Sequence, residues 1–309
     1  MLLKALWKKQ KHLLYNKKLK IAFGTYRAQI LYKGNNMREI IASRRNDHVK
    51  LAYCLSKSSS FRKKKGLCFL EGARLCADAA MSGNKTRALF FTPKAEIKYK
   101  DYIMRIKCPE DKIYVIDQSI ADYLADTKNP QGVFSISDIP YTENKLSGVP
   151  RSGNFLALEN IQNPDNLGAA LRTAEAFGIS GVVFGGACCD AYSPKALRAG
   201  MGAVFRLGVY TSADMPSAVR DFNSMGFSTF AAVPDRSALK VTDIDFRGSS
   251  VMVIGNEGNG IMPETVRECK KCVTIPMSGR AESLNASAAA AVLMWEMMRG
   301  KEAGGVNDG

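Results

Sequence analysis

The chain has very little histidine: its 309 residues include only His12 and His48. Histidine is the side chain that most often moves protons near neutral pH, and it completes the serine triads of many hydrolases. Two histidines near the amino end leave little room for either chemistry. We therefore expect other side chains to carry any reaction that the chain performs.

The eight cysteines lack the spacing of a disulfide framework or of a zinc site. Cys188 and Cys189 are adjacent, and Cys269 and Cys272 form one CxxC without a matching second pair. Structural zinc takes four ligands, and both histidines are far away in sequence. We predict reduced thiols and no metal.

Long hydrophobic runs are also missing. No segment approaches the ~20 apolar residues that span a bilayer. Residues 1–36 lack the continuous apolar centre and the cleavage site of a secretory signal. We expect a cytoplasmic protein without a membrane partner.

Acidic residues are scarce at the amino end. Residues 1–66 contain 18 Lys and Arg against only Glu39 and Asp47, so this block accounts for the whole net charge of +15. Lys and Arg displace condensed counterions from phosphates, which makes a polyanion the expected partner. For residues 1–36 a solvated tail is an equal alternative, and we leave that extension unassigned.

Short strands alternate with helices from Asn46 onward, a pattern typical of an α/β layer fold. In the second half the strands, such as FLALEN, are apolar on both faces, which suits a parallel sheet covered by helices. The polar segment Tyr141–Asn154 is interpreted as a linker. The predicted parts are an extension (1–36), a smaller α/β domain (37–140), the linker (141–153), a parallel-sheet domain (154–302) and a flexible tail (303–309).

The first loop of interest is ENIQNPDNLGAALRTAEAFG, Glu159–Gly178. Pro164 is a good first residue for a helix, and it places Asn166 at the amino end. Helical side chains lean towards their own amino end, so we expect Arg172 to pass over Gly168 towards the loop that holds Asn166. A cation, an amide and free N–H groups at one point suit a phosphate or an oxyanion. The alternative is a capped helix with one surface arginine.

The second loop is VMVIGNEGNGI, Val251–Ile261, where three glycines follow an apolar strand. Glycine lets the backbone approach a ligand closely. GNEGNG is not the dinucleotide fingerprint GxGxxG, and Glu257 would repel a pyrophosphate. A neutral or cationic ligand fits better, and a tight turn without a ligand is the alternative.

The third loop, SLNAS, places Ser283 and Asn285 where the last helix begins. Five of the next six residues are alanine, at positions 286 and 288–291. Alanine keeps helix propensity while adding the least bulk. The helix is therefore expected to pack very close to backbone or to a ligand.

Together these loops resemble the SpoU/TrmH family of RNA ribose 2′-O-methyltransferases, part of the SPOUT superfamily. NPDNLGAALRTAEAFG, SPKALRAGMGAVFRLGV, VIGNEGNGI and IPMSGRAESLNASAAAAV occur in the family's order, between Asn154 and about Arg299. The first half resembles the RNA-binding domain, related to a ribosomal protein, that is often fused ahead of it. The resemblance implies a parallel-sheet SPOUT domain with a trefoil knot, preceded by a smaller α/β ribosomal-protein-like RNA-binding domain.

The resemblance also implies a reaction and its residues. S-adenosylmethionine would be the cofactor, and the acceptor a ribose 2′-hydroxyl of structured RNA, with rRNA favoured over tRNA. Sites in this family form at a homodimer interface. Arginine stays protonated, so we expect Arg172 to stabilise the forming alkoxide rather than to act as a base. The implied catalytic residues are Asn166, Arg172, Glu257, Ser283 and Asn285; the cofactor would be held by Gly255, Asn256, Gly258, Ile275, Met277, Leu284 and Asn285; RNA would be bound by Arg44, Arg45, Lys50, Arg62, Lys63, Lys64 and Lys65.

Three other functions stay open from the sequence. The target could be tRNA. The chain could also be an inactive RNA-binding protein, such as a ribosome-assembly or resistance factor. An ordinary doubly wound nucleotide-binding enzyme would need an acidic ribose ligand about 20 residues past a GxGxxG, and the sequence has no such pair.

Overall fold

The structure, a computed structural model, describes residues 40–140, 146–280 and 282–302. Its backbone divides into two units, which separate between Ile41 and Ala42. The described part of the first unit is the short strand β1, Ile40–Ile41. The predicted extension at 1–36 and the tail at 303–309 lie outside the described residues, as does the linker up to residue 145.

The first part of the second unit is a mixed sheet with helices. The strands β2–β5 lie in the order β4-β3-β5-β2; β5 is antiparallel to β2 and β3, while β3 and β4 are parallel. Pro93–Lys98 and Lys100–Ile103 are two short helices, separated at Tyr99, which leaves helical geometry. The elements are β2 Leu67–Glu71, β3 Thr86–Phe91, β4 Ile113–Ile116, β5 Val133–Asp138, α1 Asp47–Lys57, α2 Ser59–Lys65, α3 Ala73–Met81, α4 Pro93–Lys98, α5 Lys100–Ile103 and α6 Gln118–Leu124.

The second part is a seven-stranded sheet whose paired strands are all parallel, which confirms the predicted fold class. The strand order is β10-β12-β9-β11-β6-β7-β8. The elements are β6 Asn154–Glu159, β7 Gly181–Gly185, β8 Gly208–Ser212, β9 Ser228–Ala232, β10 Leu239–Lys240, β11 Ser250–Ile254, β12 Lys271–Thr274, α7 Pro164–Ala176, α8 Pro194–Ala199, α9 Met215–Ser224, α10 Pro263–Glu268 and α11 Ala286–Glu302. The trefoil knot stays a prediction.

Strand order decides which loops meet. β11 pairs with β6, and β12 lies beyond β9 on the other side of β11. The carboxyl ends of parallel strands lie at one edge of the sheet, where ligands of such folds bind. The loops after β6, β11 and β12 are the three singled out by the sequence, and all three leave this edge.

The two sheets share a continuous core within the second unit. Leu75 of α3 packs in the same buried cluster as Leu167 and Phe205. Glu71 and Asp126 of the first part both contact Arg198 of α8, at 3.4 and 2.5 Å. These apolar and charged contacts hold the first part against the second.

Arg62 forms part of this junction, and the expectation that it binds RNA is corrected. The side chain is only 4% exposed. Its Nε donates to Asp190 at 2.6 Å, and its Nη1 donates to the carbonyl of Leu55 at 2.6 Å. A buried guanidinium that already donates to Asp190 and to the Leu55 carbonyl is not available to a phosphate. The neighbours Lys63–Lys65 are exposed.

In the part of the chain that the structure describes, no helix combines the length and apolar character needed to cross a membrane.

Candidate active site

The loop after β6 is fixed by two asparagines. Asn163 caps α7, its side-chain oxygen accepting from the N–H of Asp165 at 2.9 Å, and Pro164 opens the helix. Asn160 has a φ of 57° and accepts from the N–H of Ala187 at 2.7 Å. These contacts leave Asn166 half-buried on the first turn of α7, the position that the sequence predicted.

The loop after β11 closes on itself around Asn256. The backbones of Asn256 and Gly260 exchange hydrogen bonds of 3.0 and 2.8 Å, and the Asn256 side chain accepts from Gly258 at 2.8 Å. The same amide donates to the carbonyl of Asn160 at 3.0 Å, which ties this loop to the first. A Cβ at Gly255 would lie 2.1 Å from the carbonyl of Gly260, so only glycine fits there. The closed loop presents Glu257, which is exposed.

Asn285 begins α11 and faces the other two loops. Its Oδ1 accepts from the N–H groups of Ser287 and Ala288, at 3.0 and 3.4 Å, which is an N-cap. These bonds assign its Nδ2 as the free donor. That donor reaches Oδ1 of Asn166 at 3.0 Å.

The three loops therefore meet in one hydrogen-bonded cluster. Asn285 donates to Asn166, and Asn166 in turn donates to Oε1 of Glu257. Ser283 lies exposed in the loop just before Asn285. Four of the five predicted catalytic residues are thus brought together around the carboxyl edge of the sheet.

A cavity of about 470 Å³ lies beside the cluster, within the range of ~300–1,000 Å³ usual for small-molecule sites. Glu257 and Glu282 are its only charged lining residues among those described. The lining therefore favours a cation and opposes a pyrophosphate, against the ordinary nucleotide-binding alternative. All the predicted cofactor residues except Asn285 line it, namely Gly255, Asn256, Gly258, Ile275, Met277 and Leu284.

The sequence reasoning missed other walls of this cavity. Val233 and Pro234 line it and directly follow β9, so their position after an apolar strand was the available signal. From α11, Ala286, Ala289 and Leu293 contribute. Two alanines of this helix therefore face the cavity, and the close approach of the helix to a ligand stays a prediction.

Arg172 lies elsewhere, and its expected path is corrected. Gly168 packs on α8, where a Cβ would lie 2.5 Å from the carbonyl of Ala196, so no channel past Gly168 exists. Arg172 instead borders a cleft of about 760 Å³. Within the described residues it has no hydrogen-bond or ion-pair partner. The cleft is lined by Arg74, Asp78, Met81, Ser82, Arg172, Glu175, Met201, Phe205 and Arg206.

The acids of this cleft are already neutralised. Arg206 binds Glu175 through two hydrogen bonds of 2.5 and 2.9 Å, and its guanidinium lowers the pKa of that carboxyl. Asp78 lies 3.4 Å from Arg74. Arg172 is left as the available cation, in a surface that suits an anion.

A buried acid supports the loop after β11. Glu159 ends β6 and is 1% exposed. It accepts from the N–H of Met262 at 2.8 Å and from the hydroxyl of Thr265 at 2.6 Å. The available sequence signal for this role was an acid at the end of the apolar run FLALE.

The remaining predicted RNA-binding residues lie on the surface. Arg44, Arg45, Lys50 and Lys63–Lys65 are all exposed. Lys50 binds Asp47 at 3.0 Å. The guanidinium of Arg44 lies over the ring of Tyr123, 4.6 Å from its centroid.

The cysteines are all free thiols. Burial raises the pKa of Cys189 to about 11 and that of Cys269 to about 12. Thiolates are the reactive form, so these side chains are poor nucleophiles near neutral pH. Within the described residues, no group of three or more His, Cys, Asp or Glu side chains could hold a metal ion.

Comparisons with known proteins agree with this arrangement. The B. subtilis (strain 168) enzyme 23S rRNA (guanosine(2553)-2′-O)-methyltransferase RlmP is 27% identical over 76% of this chain and 90% of its own. The mitochondrial rRNA methyltransferase 3 of Mus musculus is 28% identical over 79% of this chain and 70% of its own. The solved structure of an AdoMet-bound rRNA methyltransferase from Sinorhizobium meliloti is 25% identical, with a TM-score of 0.71 and coverage of 84% of this chain and 97% of that one.

Family models match both parts of the chain. The SpoU rRNA Methylase family matches residues 153–295, which contain the three loops. The MRM3-like substrate binding domain matches residues 46–135, which contain α1–α6, β2–β4 and the start of β5. These matches confirm the resemblance seen in the sequence: the chain carries a methylase domain of the SpoU rRNA Methylase family behind an MRM3-like substrate binding domain.

Proposed function

We propose that this protein transfers a methyl group from S-adenosylmethionine to a ribose 2′-hydroxyl of rRNA. The relatives named above are rRNA methyltransferases, one of them a 2′-O-methyltransferase of 23S rRNA, and the solved structure from S. meliloti is bound to AdoMet. The observation that carries the proposal is the cluster of Asn166, Glu257 and Asn285 beside the cavity.

The cavity fits this cofactor. S-adenosylmethionine carries a sulfonium cation, and the charged lining residues are the carboxylates Glu257 and Glu282. Ile275, Met277 and Leu284 provide apolar contact for its uncharged parts. Gly255 and its neighbours bring backbone amide and carbonyl groups to the wall without side chains in between. The assignment of these residues to the cofactor, like that of the catalytic residues, is part of the proposal.

S-adenosylmethionine supplies, when bound, a methyl group activated for attack by an oxygen nucleophile. A ribose 2′-oxygen would take up this methyl group with S-adenosylhomocysteine as the leaving group, and the hydroxyl proton would pass to water. Asn285 and Asn166 fix the position of Glu257. One oxygen of Glu257 is bonded to Asn166, and the other can accept a hydrogen bond from the 2′-hydroxyl, which orients it for attack. Ser283 adds a hydroxyl at the same rim.

Arg172 and Asn166 lie on different faces of α7. Arg172 follows Asn166 by six residues of α7, which is about 9 Å along the helix and about 240° around it. A homodimer in which the partner subunit's Arg172 enters this site would complete it. There the guanidinium would stabilise the forming alkoxide and hold the adjacent phosphate.

The substrate-binding domain favours rRNA over tRNA as the target. Residues 46–135 match a substrate binding domain named after an rRNA methyltransferase, and exposed cations surround α1 and α2. Structured RNA is bound through its shape, its phosphates and the 2′-hydroxyl. The protein would act in the cytoplasm, where its free cysteines stay reduced.

Methyl transfer from labelled S-adenosylmethionine tests the proposal. Unmodified large-subunit rRNA and bulk tRNA are offered separately, and the product is digested to nucleosides. We expect label on a ribose 2′-oxygen of rRNA, lost with Arg172→Ala and not restored by Arg172→Lys. Label on tRNA alone would move the target to that class. RNA binding without cofactor binding would make this an inactive RNA-binding protein.

A further inference from the structure

Two tyrosines stack on the outer face of the substrate-binding domain. Tyr53 of α1 and Tyr123 of α6 lie with ring centroids 4.5 Å apart and planes 7° from parallel. The guanidinium of Arg44 covers Tyr123 at 4.6 Å, and the ammonium of Lys57 lies 5.9 Å from the ring of Tyr53. Both rings are half-buried, so their edges reach solvent.

The stack is not required to join the two helices. Val49, Ala52 and Leu55 of α1 are fully buried. So are Ile120 and Leu124 of α6. These apolar side chains form the packed side of each helix, and the tyrosines lie outside them. The two rings therefore lie at the edge of the packed side, where a ligand in solution can reach them.

The charge around the stack is positive. Arg44 and Arg45 are exposed and, among the described residues, have no ion-pair partner. Asp126 is held by Arg198 at 2.5 Å and lies 3.9 Å from Lys57. Asp122, which accepts from Gln118 at 2.8 Å, is the acid of α6 without a cation. Cations beside exposed rings suit a ligand with both phosphates and bases.

We propose that Tyr53 and Tyr123 form a stacking platform for an unpaired base of the RNA substrate, with Arg44 and Lys57 binding the flanking phosphates. This rests on the proposed function, because it assigns the substrate-binding domain a feature of the RNA that it recognises. Bases in duplex RNA stack on each other and are not free to stack on a side chain. The platform would therefore select a loop, bulge or single strand.

A base can replace Arg44 on the outer face of Tyr123. Exposed cation–π contacts change affinity by about twofold to fivefold. Base–aromatic stacking contributes about fivefold to more than a hundredfold. The exchange is favourable, and it frees the guanidinium of Arg44 for a phosphate without moving either helix.

The pair of Tyr102, in α5, and Arg105, just after α5, provides a matched control. Arg105 lies over Tyr102, 5.9 Å from the ring centroid, and the same domain carries both. No second ring stacks on Tyr102 among the described residues. Replacing Arg105 therefore removes a surface cation–π contact of the same type without touching the proposed platform.

The test compares two RNA probes on the full-length protein: a 20-nucleotide oligoadenylate and an RNA duplex of the same length. We expect Tyr123→Leu to weaken oligoadenylate binding about tenfold and to leave duplex binding within about twofold. Tyr123→Phe, which keeps the ring, should bind both probes like the unaltered protein, and so should Arg105→Ala. Equal oligoadenylate binding by Tyr123→Leu, or equal losses on both probes, would overturn the proposal.

Ultraviolet cross-linking of oligoadenylate to the unaltered protein covers the case in which Tyr123→Leu does not fold. Cross-links on the peptides of α1 and α6 are expected, and cross-links confined to other peptides would refute the platform. A changed sedimentation coefficient of RNA-free Tyr123→Leu would make the face a contact between protein chains instead. Methyl transfer is read separately: its absence from the unaltered protein would refute the proposed function, whereas the platform predicts for Tyr123→Leu a raised KM for rRNA at unchanged kcat.

Discussion

The cavity beside Glu257 and the cleft beside Arg172 have opposite charge. The described lining of the cavity includes two carboxylates and no cation, whereas the cleft includes three arginines whose two acidic neighbours are already paired. A small cation suits the first surface, and a polyanion suits the second. The two ligands of a methyl transfer to RNA therefore have separate surfaces, and substitutions should affect them separately.

The largest expected effect comes from Arg172→Ala. Loss of the cation that stabilises the alkoxide should lower kcat by about 100-fold or more. Cofactor affinity should be unchanged, because Arg172 does not line the cavity. Single-turnover methyl transfer and calorimetric cofactor titration measure the two quantities. Arg74→Ala, in the same cleft but paired with Asp78, is the control and should keep most of the activity.

Gly255→Ala should instead weaken binding of the cofactor. Its Cβ would lie 2.1 Å from backbone atoms of Gly260, so the loop has to open. We expect cofactor affinity to fall about tenfold to a hundredfold while binding of RNA alone stays constant. Gly258→Ala in the same loop is the control, since its Cβ would lie 3.4 Å from the side-chain oxygen of Asn256. Parallel losses in both variants would mean that the loop tolerates no added methyl group anywhere.

Two substitutions of Asn285 distinguish its role as the N-cap of α11 from its role in the hydrogen-bonded cluster. Asn285→Ala should lower the free energy of unfolding by about 1 kcal/mol, because the cap is lost. Asn285→Asp keeps the capping oxygen but lacks the amide that donates to Asn166. It should retain thermal stability and still lose methyl transfer. An active Asn285→Asp protein would remove the amide from the proposed site.

The smallest effect is expected from thiol modification. Burial raises the pKa of Cys269 to about 12, so almost none of its thiol is ionised at pH 8. Brief iodoacetamide treatment should label the exposed Cys54 and leave Cys269 and Cys189 unlabelled, with activity retained. Peptide mass spectrometry reads the labelled positions. Rapid labelling of Cys189 together with a loss of activity would contradict this prediction and would make the Cys189 thiol part of the proposed site.

The sequence was sufficient for the parallel sheet and for the loops at its edge. Strands β6 and β11 are buried along their whole length, as their largely apolar sequences predict. Glycines and capping residues then mark where each strand ends. Because parallel strands end at one edge, Asn166, Glu257 and Asn285 could be expected to meet without knowledge of the coordinates.

The sequence was insufficient where a side chain depends on a distant partner. Arg62 belongs to the basic run RKKK, and its burial depends on Asp190, 128 residues later. The path of Arg172 depends on α8, which closes over Gly168. No local pattern encodes such packing, because helix periodicity gives a residue's face but not what covers that face.

A mixture of two inactive variants tests most directly whether the oppositely charged surfaces of two chains form one site. Arg172→Ala and Glu257→Gln are each expected to be inactive alone. After they are unfolded and refolded together in equal amounts, half of the dimers carry both chains, and one site of each combines an intact Glu257 with an intact Arg172. We predict recovery of about one quarter of the unaltered methyl transfer. No recovery, with mixed dimers demonstrated, would contradict a site shared between subunits.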